Sequence, residues 1–401
     1  MNQLKIISTL PFIVIALFSF TINSYFTALP FYVKSMAGGN SETGIAFASY
    51  FFCYLMLCLY QNKSAKNLSH KLTSTAIILL VICLSLLQTT NLNNQPSVFY
   101  VISALLGLIQ ASLWPTLMSM IVGDAEGALL NKKLIRFNLS WAIPMLTSPL
   151  LVALLLAKDV SFISWFIITL LLLVLLTLSF IPFTLQQKSN PAPSNNPSPQ
   201  SYTPKLAFLA ASALIGVSIV VMLYKSHLAD VMINKLGMLE SHFALVVTCV
   251  NLGTVFVFFI QQRWQQWQWR KLWLFNAQIV AIMAALSVFY ENLMLLMLGA
   301  FAAGIAHGFV YGAHQFYCSA TNTNRQQAMS KHEIIQSSGI ISGSILAGFA
   351  GEVSFSMPYI MAVVIVTVLL LSQWLISIKR NKQTQQQFPW NKKKSHKYFF
   401  N

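Results

Sequence analysis

The chain has 401 residues, of which 56% are hydrophobic and only 8% charged, and its formal net charge is +16. So little charge cannot cover a water-soluble globule, which excludes a soluble enzyme or a soluble nucleic-acid-binding domain. The cations sit in short segments between apolar runs and after Ile378, so they report membrane topology and call for no nucleic-acid partner.

Apolar runs recur near residues 9–33, 42–60, 72–90, 98–122, 135–157, 161–183, 205–225, 241–261, 272–290, 293–318, 334–352 and 358–378. Most reach the roughly twenty residues that a helix needs to cross about 30 Å of hydrocarbon. The spacing therefore predicts an all-α membrane protein with twelve transmembrane helices. The first run is too long for a signal peptide and has eleven successors like it. Between the sixth and seventh runs, KSNPAPSNNPSPQSYTPK is too rich in Pro, Ser and Asn to bury a core and reads as a linker. The expected organisation is a six-helix bundle at 1–187, a cytoplasmic linker at 188–204, a second bundle at 205–378 and a basic cytoplasmic tail at 379–401. With the N-terminus inside, only Lys34, Lys158, Lys225 and Lys235 fall outside, which places both termini in the cytoplasm and the chain in the cell's inner (plasma) membrane. Cys53, Cys58, Cys83, Cys249 and Cys318 lie in or beside apolar runs without a Cys-x-x-Cys pair, so neither a disulfide framework nor a metal site is expected. No phosphate-binding Gly-x-x-x-x-Gly-Lys-Ser/Thr loop occurs, no cofactor is expected, and no segment could hold a soluble catalytic domain.

The two halves also resemble each other. GLIQASLWP from Gly107 aligns with GIAHGFVYG from Gly304, pairing Gln110 with His307 and Trp114 with Tyr311. At nearly the same displacement, RFNLSWAIPMLTSPLL from Arg136 aligns with KHEIIQSSGIISGSIL from Lys331, pairing Asn138 with Glu333. Internal repeats of this kind are a signature of secondary transporters. The tenth helix is the most unusual. At about 100° per residue, His307, Tyr311 and His314 share a face, and Gly304, Gly308 and Gly312 form a strip beside it that predicts close helix packing. Ionisable groups inside a membrane helix are costly and face a cavity or the bundle interior.

Over essentially its full length the chain resembles the major facilitator superfamily: twelve spans, six plus six, around a long cytoplasmic linker. The family's loop after the second helix, Gly-x-x-x-Asp-Arg-x-Gly-Arg-Arg, corresponds to NKSAKNLSHK from Asn62, with Lys66 in place of the aspartate and only His70 and Lys71 keeping the basic end. The antiporter motif of the fifth helix corresponds to PMLTSPLLVA from Pro144, which keeps Pro149 but none of the glycines. GIISGSILAG in the eleventh helix retains Gly339, Gly343 and Gly348. The resemblance implies a central cavity lined by the first, fourth, seventh and tenth helices, with alternating access by rocking of the halves.

On that template the solute-binding residues are Asn23, Gln110, Trp114, Ser218, His307, Tyr311 and, toward the cytoplasm, His314. Asn23 and Ser218 can equally bond across helices without a solute, and the aromatic pair Trp114 and Tyr311 either packs or stacks on the solute. All nine acids are read as lying at helix ends or in loops, with no Lys or Arg at mid-span. His332, Glu333 and the tryptophans from Trp264 onward are assigned to the cytoplasmic surface. His307 is then the proton-coupling candidate, because an unperturbed imidazole titrates near pH 6.5. The expected function is secondary transport of a small neutral, zwitterionic or amphiphilic organic solute by a monomer, with a lean toward efflux and with protons as coupling partner. The alternatives are nutrient import, or a non-transporting receptor or assembly factor that kept the fold.

Overall fold

The computed structural model describes residues 2–64, 70–89, 95–158, 160–181, 203–264, 267, 270–321 and 324–387. The predicted linker up to residue 202, the tail after Gln387 and the heart of the loop beginning at Asn62 lie outside the described residues. Apolar chains in hydrocarbon must satisfy every backbone N–H and C=O internally, and the described residues do so with helices alone. In chain order these are α1 (Asn2–Ser35), α2 (Asn40–Ser64), α3 (His70–Thr89), α4 (Val98–Val122), α5 (Gly127–Leu156), α6 (Val160–Ser179), α7 (Thr203–Lys225), α8 (Glu240–Arg263), α9 (Leu272–Ser287), α10 (Leu293–Thr321), α11 (Arg325–Ile345) and α12 (Met357–Gln387). Among the described residues eleven helices are long and apolar enough to cross a membrane, and α3 contributes the shorter apolar segment Thr73–Leu86. The protein is an all-α, multi-pass membrane protein with two six-helix pseudo-repeats.

Three helix boundaries differ from the sequence expectation in ways that matter for the site. α5 begins at Gly127 and α11 at Arg325, each about two turns before the apolar run. After α7 the chain stays helical through His227–Asp230 and a wide π-type turn, Val231–Lys235. Hydropathy ends a span at its first polar residues, but here those residues are buried against other helices and the helix carries on. Asn131, Gln326, Ser330, His332 and Glu333 are all buried. α11 starts at a side-chain cap, the Asn324 Oδ1 accepting from the Gln327 N–H at 3.1 Å.

The repeat is visible in the packing. A methyl group at Gly304 would fall on the Val250 carbonyl oxygen of α8, and one at its repeat mate Gly107 on the Tyr50 carbonyl oxygen of α2. The α10 strip therefore packs on α8, as the small-residue pattern predicts, and α4 packs on α2 in the same manner.

The two halves touch at both ends of the bundle. At the end carrying the α1–α2 turn, Asn40 Nδ2 donates to Asp230 Oδ2 at 2.8 Å, Lys34 Nζ to Asn234 Oδ1 at 2.6 Å, and the Ser41 N–H to Glu352 Oε1 at 3.0 Å. At the end carrying the α4–α5 turn, Arg325 donates to the Ala125 carbonyl at 2.9 Å and Asn138 Nδ2 to Gln315 Oε1 at 2.7 Å. Disulfide cross-linking of an Asn40→Cys, Asp230→Cys double variant is expected to proceed readily and to halt solute movement; rapid cross-linking with unaltered movement would show that this end stays shut throughout.

Candidate solute cavity

Between the halves lies a cavity of about 120 Å³. Its walls obey the repeat. From α1 come Ser19, Ile22, Asn23 and Phe26; from α7, at one constant displacement, come Ser218, Val221, Met222 and Lys225. α4 gives Gln110 and Trp114, matched on α10 by His307 and Tyr311. Trp141 and Met145 of α5 are matched by Gln336 and Ile340 of α11. α2 adds Phe47, Tyr50 and Phe51.

Six of the seven sequence-selected residues thus line one cavity: Asn23, Gln110, Trp114, Ser218, His307 and Tyr311. Asn23 Nδ2 donates to the Ser19 carbonyl of its own helix at 3.0 Å, whereas the Ser218 hydroxyl has no hydrogen-bond partner. The aromatic mates are braced from behind. Trp114 packs on Phe18 and Phe137, and Tyr311 meets Trp141 edge-on with centroids 5.3 Å apart, so each ring's orientation is set by neighbours.

His314 is not on this cavity. Three residues beyond Tyr311 it turns toward α11, where its Nδ1 lies 2.8 Å from Nδ1 of His332, and its Nε2 lies 3.4 Å from Cys318 Sγ. Among its neighbours it is a packed, hydrogen-bonded histidine, 2% exposed. With the native cysteines removed, a His314→Cys variant is expected to resist a membrane-impermeant thiol reagent from both membrane faces; rapid labelling from one face would restore it to the solute path.

The structure overturns the expectation that the cavity holds no carboxyl group and no lysine or arginine. Glu333 and Lys225 both line it. Glu333 lies two turns inside α11, 2% exposed, and not at the surface, because the helix begins at Arg325. Tyr311 Oη donates to Glu333 Oε1 at 3.4 Å, and Tyr50, Tyr54 and Cys58 of α2 also surround the carboxyl group. Lys225 is inside because the chain remains helical past it to Lys235; its ammonium meets Met145 Sδ at 4.0 Å. His332 and Trp267 are likewise buried, the latter against Phe309 and Phe316, so neither belongs to a surface aromatic belt. The signal that could have found Glu333 was its repeat mate Asn138, a polar residue well within a membrane helix.

Residues 11–226 match the sequence profile of the Major Facilitator Superfamily, more than half of the chain. The chain belongs to the major facilitator superfamily. Several solved transporters share this facilitator's fold. The nucleoside transporter NupG is 14% identical with a TM-score of 0.63, the match covering 92% of this chain and 99% of NupG. The human organic anion transporter MFSD10 (TETRAN) is 11% identical with a TM-score of 0.64, covering 92% and 98%. A POT family transporter in complex with 5-aminolevulinic acid is 13% identical with a TM-score of 0.67, covering 93% and 96%. No curated protein matches the sequence. At these identities the likeness speaks for the fold alone; together with the family match it makes this facilitator a transporter-type membrane protein.

Proposed function

We propose that the protein is a secondary active transporter that moves a small organic solute through the cavity by alternating access. The observation that supports this most strongly is a cavity at the junction of the halves most of whose wall residues correspond in pairs between the repeats. Such a site can be exposed to either side by rocking the halves 1–187 and 205–378 about it. Both termini lie on the cytoplasmic side in this reading, supported by the distribution of cations between loops. Export is the favoured direction, on the remnant of the antiporter motif around Pro149. Counterflow in proteoliposomes tests the proposal: accumulation of a labelled solute driven by its unlabelled counterpart supports it. A folded protein that moves nothing from a broad panel of metabolites would favour a receptor or assembly factor instead.

Proton coupling is assigned to Glu333. His307 became the candidate by elimination, and that elimination fails once a carboxyl group lines the same cavity. Facing Glu333 are Tyr311 of α10 and Tyr50, Tyr54 and Cys58 of α2, with His332 adjacent on α11; none is a fixed cation, so the proton is the natural counter-charge. His307, beside Tyr311 with ring centroids 5.8 Å apart, serves as a solute contact. The variant His307→Gln, copying its mate Gln110, is expected to raise the half-saturation concentration several-fold and to leave the pH profile in place. Loss of pH dependence across about pH 5.5–8 would return the coupling role to the histidine.

A further inference from the structure

Resting on the reading that this cavity holds the transported solute, we propose that the solute is an elongated zwitterion. Its anionic end is held by Lys225, and its cationic end by Glu333 with the hydroxyl of Tyr311.

Both charged residues line the cavity, yet they do not pair with each other. Among the described residues the ion pair is Lys235 with Glu291, outside the cavity. A charge left unpaired in such a cavity costs several kcal/mol, so Lys225 and Glu333 are charged at least cost when a bound solute brings the opposite charges to them. Lys225 has a thioether as its polar neighbour, which offers an ammonium ion almost nothing. Around Glu333 stand hydroxyls and no cation, so a carboxylate there would keep acceptor capacity for an incoming ammonium group. The remaining wall is largely aromatic and aliphatic and suits an apolar middle.

The two charges stand at opposite ends of the cavity. Gly339 of α11 packs on Ile215 and Ser218 of α7, and Gly343 packs on Ile219 and Met222, so the two helices run parallel in this register. Glu333 therefore lies level with the stretch of α7 about two turns before Ser218, and Lys225 lies two turns beyond Ser218. Four turns of helix separate their backbones by about 20 Å. Side chains lean toward the N-terminus of their helix, so Lys225 reaches about 6 Å toward Glu333 while Glu333 gains nothing along the axis, leaving about 14 Å between the charges. Two charge-assisted contacts of about 3 Å each take up part of that span, so a solute that satisfies both carries its opposite charges about 8 Å apart, which singles out long ω-amino acids or compact peptides over α-amino acids.

The lysine, the histidine and the carboxyl group of the wall, Lys225, His307 and Glu333, all come from the second half; their mates Phe26, Gln110 and Asn138 are neutral. The repeat thus supplies the shape of the cavity twice and its charge once. The solute is read along its length by one half and covered by the other.

The test is equilibrium binding of 8-aminooctanoic acid to the purified full-length protein in nanodiscs, beside octanoic acid, octylamine and glycine. Wild-type protein should prefer 8-aminooctanoic acid over each of the others by about tenfold or more, the worth of one charge-assisted contact. Lys225→Met should lower its affinity to the octylamine level and Glu333→Gln to the octanoic acid level, while Lys225→Arg, which keeps the cation, should retain most of the preference and controls for misfolding. Equal affinity for the singly charged compounds, or a preference that survives both neutral variants, would overturn the proposal. Counterflow separates this from the transport reading. A protein that moves a neutral solute yet ignores 8-aminooctanoic acid remains a transporter without this specificity, and one that binds 8-aminooctanoic acid but moves no solute keeps the specificity and loses the transport.

Discussion

Replacing Glu333 with Gln is expected to abolish uphill transport driven by a pH gradient while exchange of labelled for unlabelled solute persists at a raised half-saturation concentration. Glutamine keeps the size of the side chain and can still accept the Tyr311 hydroxyl, but it cannot take up or release a proton. If the carboxyl group alternately holds a proton and the solute's positive end, each half-cycle of the wild type returns with one or the other. The variant can complete the cycle only with solute bound at both turns, which is exchange. The pH profile should flatten together with the loss of drive, since one group causes both. Uphill accumulation by Glu333→Gln at more than about a tenth of the wild-type rate would contradict the assignment. The paired variant His307→Gln separates the two titratable groups, because it should change affinity and leave coupling intact.

The second large effect concerns the crossing of α10 and α8. A Cβ at position 304 would sit on the Val250 carbonyl oxygen, and neither partner can move without displacing a helix, because both are backbone. Gly304→Ala is expected to destabilise the protein by about 1–3 kcal/mol, the usual range for overpacking, and Gly304→Leu to prevent accumulation of folded protein. Gly216→Ala is the control. Its added methyl group meets the end of the Leu369 side chain at 3.2 Å, a flexible neighbour that can shift, so melting in detergent should be nearly unchanged. Similar melting temperatures for Gly304→Ala and wild type would show that α8 and α10 are not held by this contact. The same argument applies to Gly107 against Tyr50, and a matching result there would extend the repeat from geometry to energetics.

Much of this was legible in the sequence, for physical reasons that also mark its limit. Apolar runs of spanning length have one way to satisfy their backbone in hydrocarbon, so twelve helices follow from hydropathy alone. The glycine strip and the repeat mates Gln110 with His307 and Trp114 with Tyr311 could be found because small residues and polar groups stand out in an apolar helix. Six cavity residues were selected by combining that contrast with the four helices that the family resemblance assigns to the cavity. What failed were the ends of helices. Lys225 and Glu333 lie where hydropathy falls, and a one-dimensional profile reads falling hydropathy as the membrane surface. In the fold those turns are covered by other helices, so a polar residue near the end of an apolar run can be as buried as one in its middle. The same blindness put His332 and Trp267 at the surface. His314 shows a different limit: a helical wheel gives the angle between side chains but not the neighbour each one meets, and His314, only about 20° from His307 by rotation, lies two turns further along α10 against His332.

The polar contacts between halves at both ends describe an arrangement in which neither end stands wide open, which is a required intermediate if the cavity opens alternately. Asp230 accepts from Asn40, and Glu352 accepts from the Ser41 N–H, at one end; Arg325, flanked by Asp124 and Glu126, reaches the Ala125 carbonyl at the other. Each is a small set of bonds that can be exchanged for water as the halves rock.

The most direct test of the account is the reactivity of a single cysteine at position 23, on the cavity wall, toward a membrane-impermeant thiol reagent in right-side-out and inside-out vesicles. With the native cysteines removed, Asn23→Cys is expected to be labelled from both faces, with solute slowing the reaction from each. Labelling from one face only, or from neither, would contradict alternating access through this cavity.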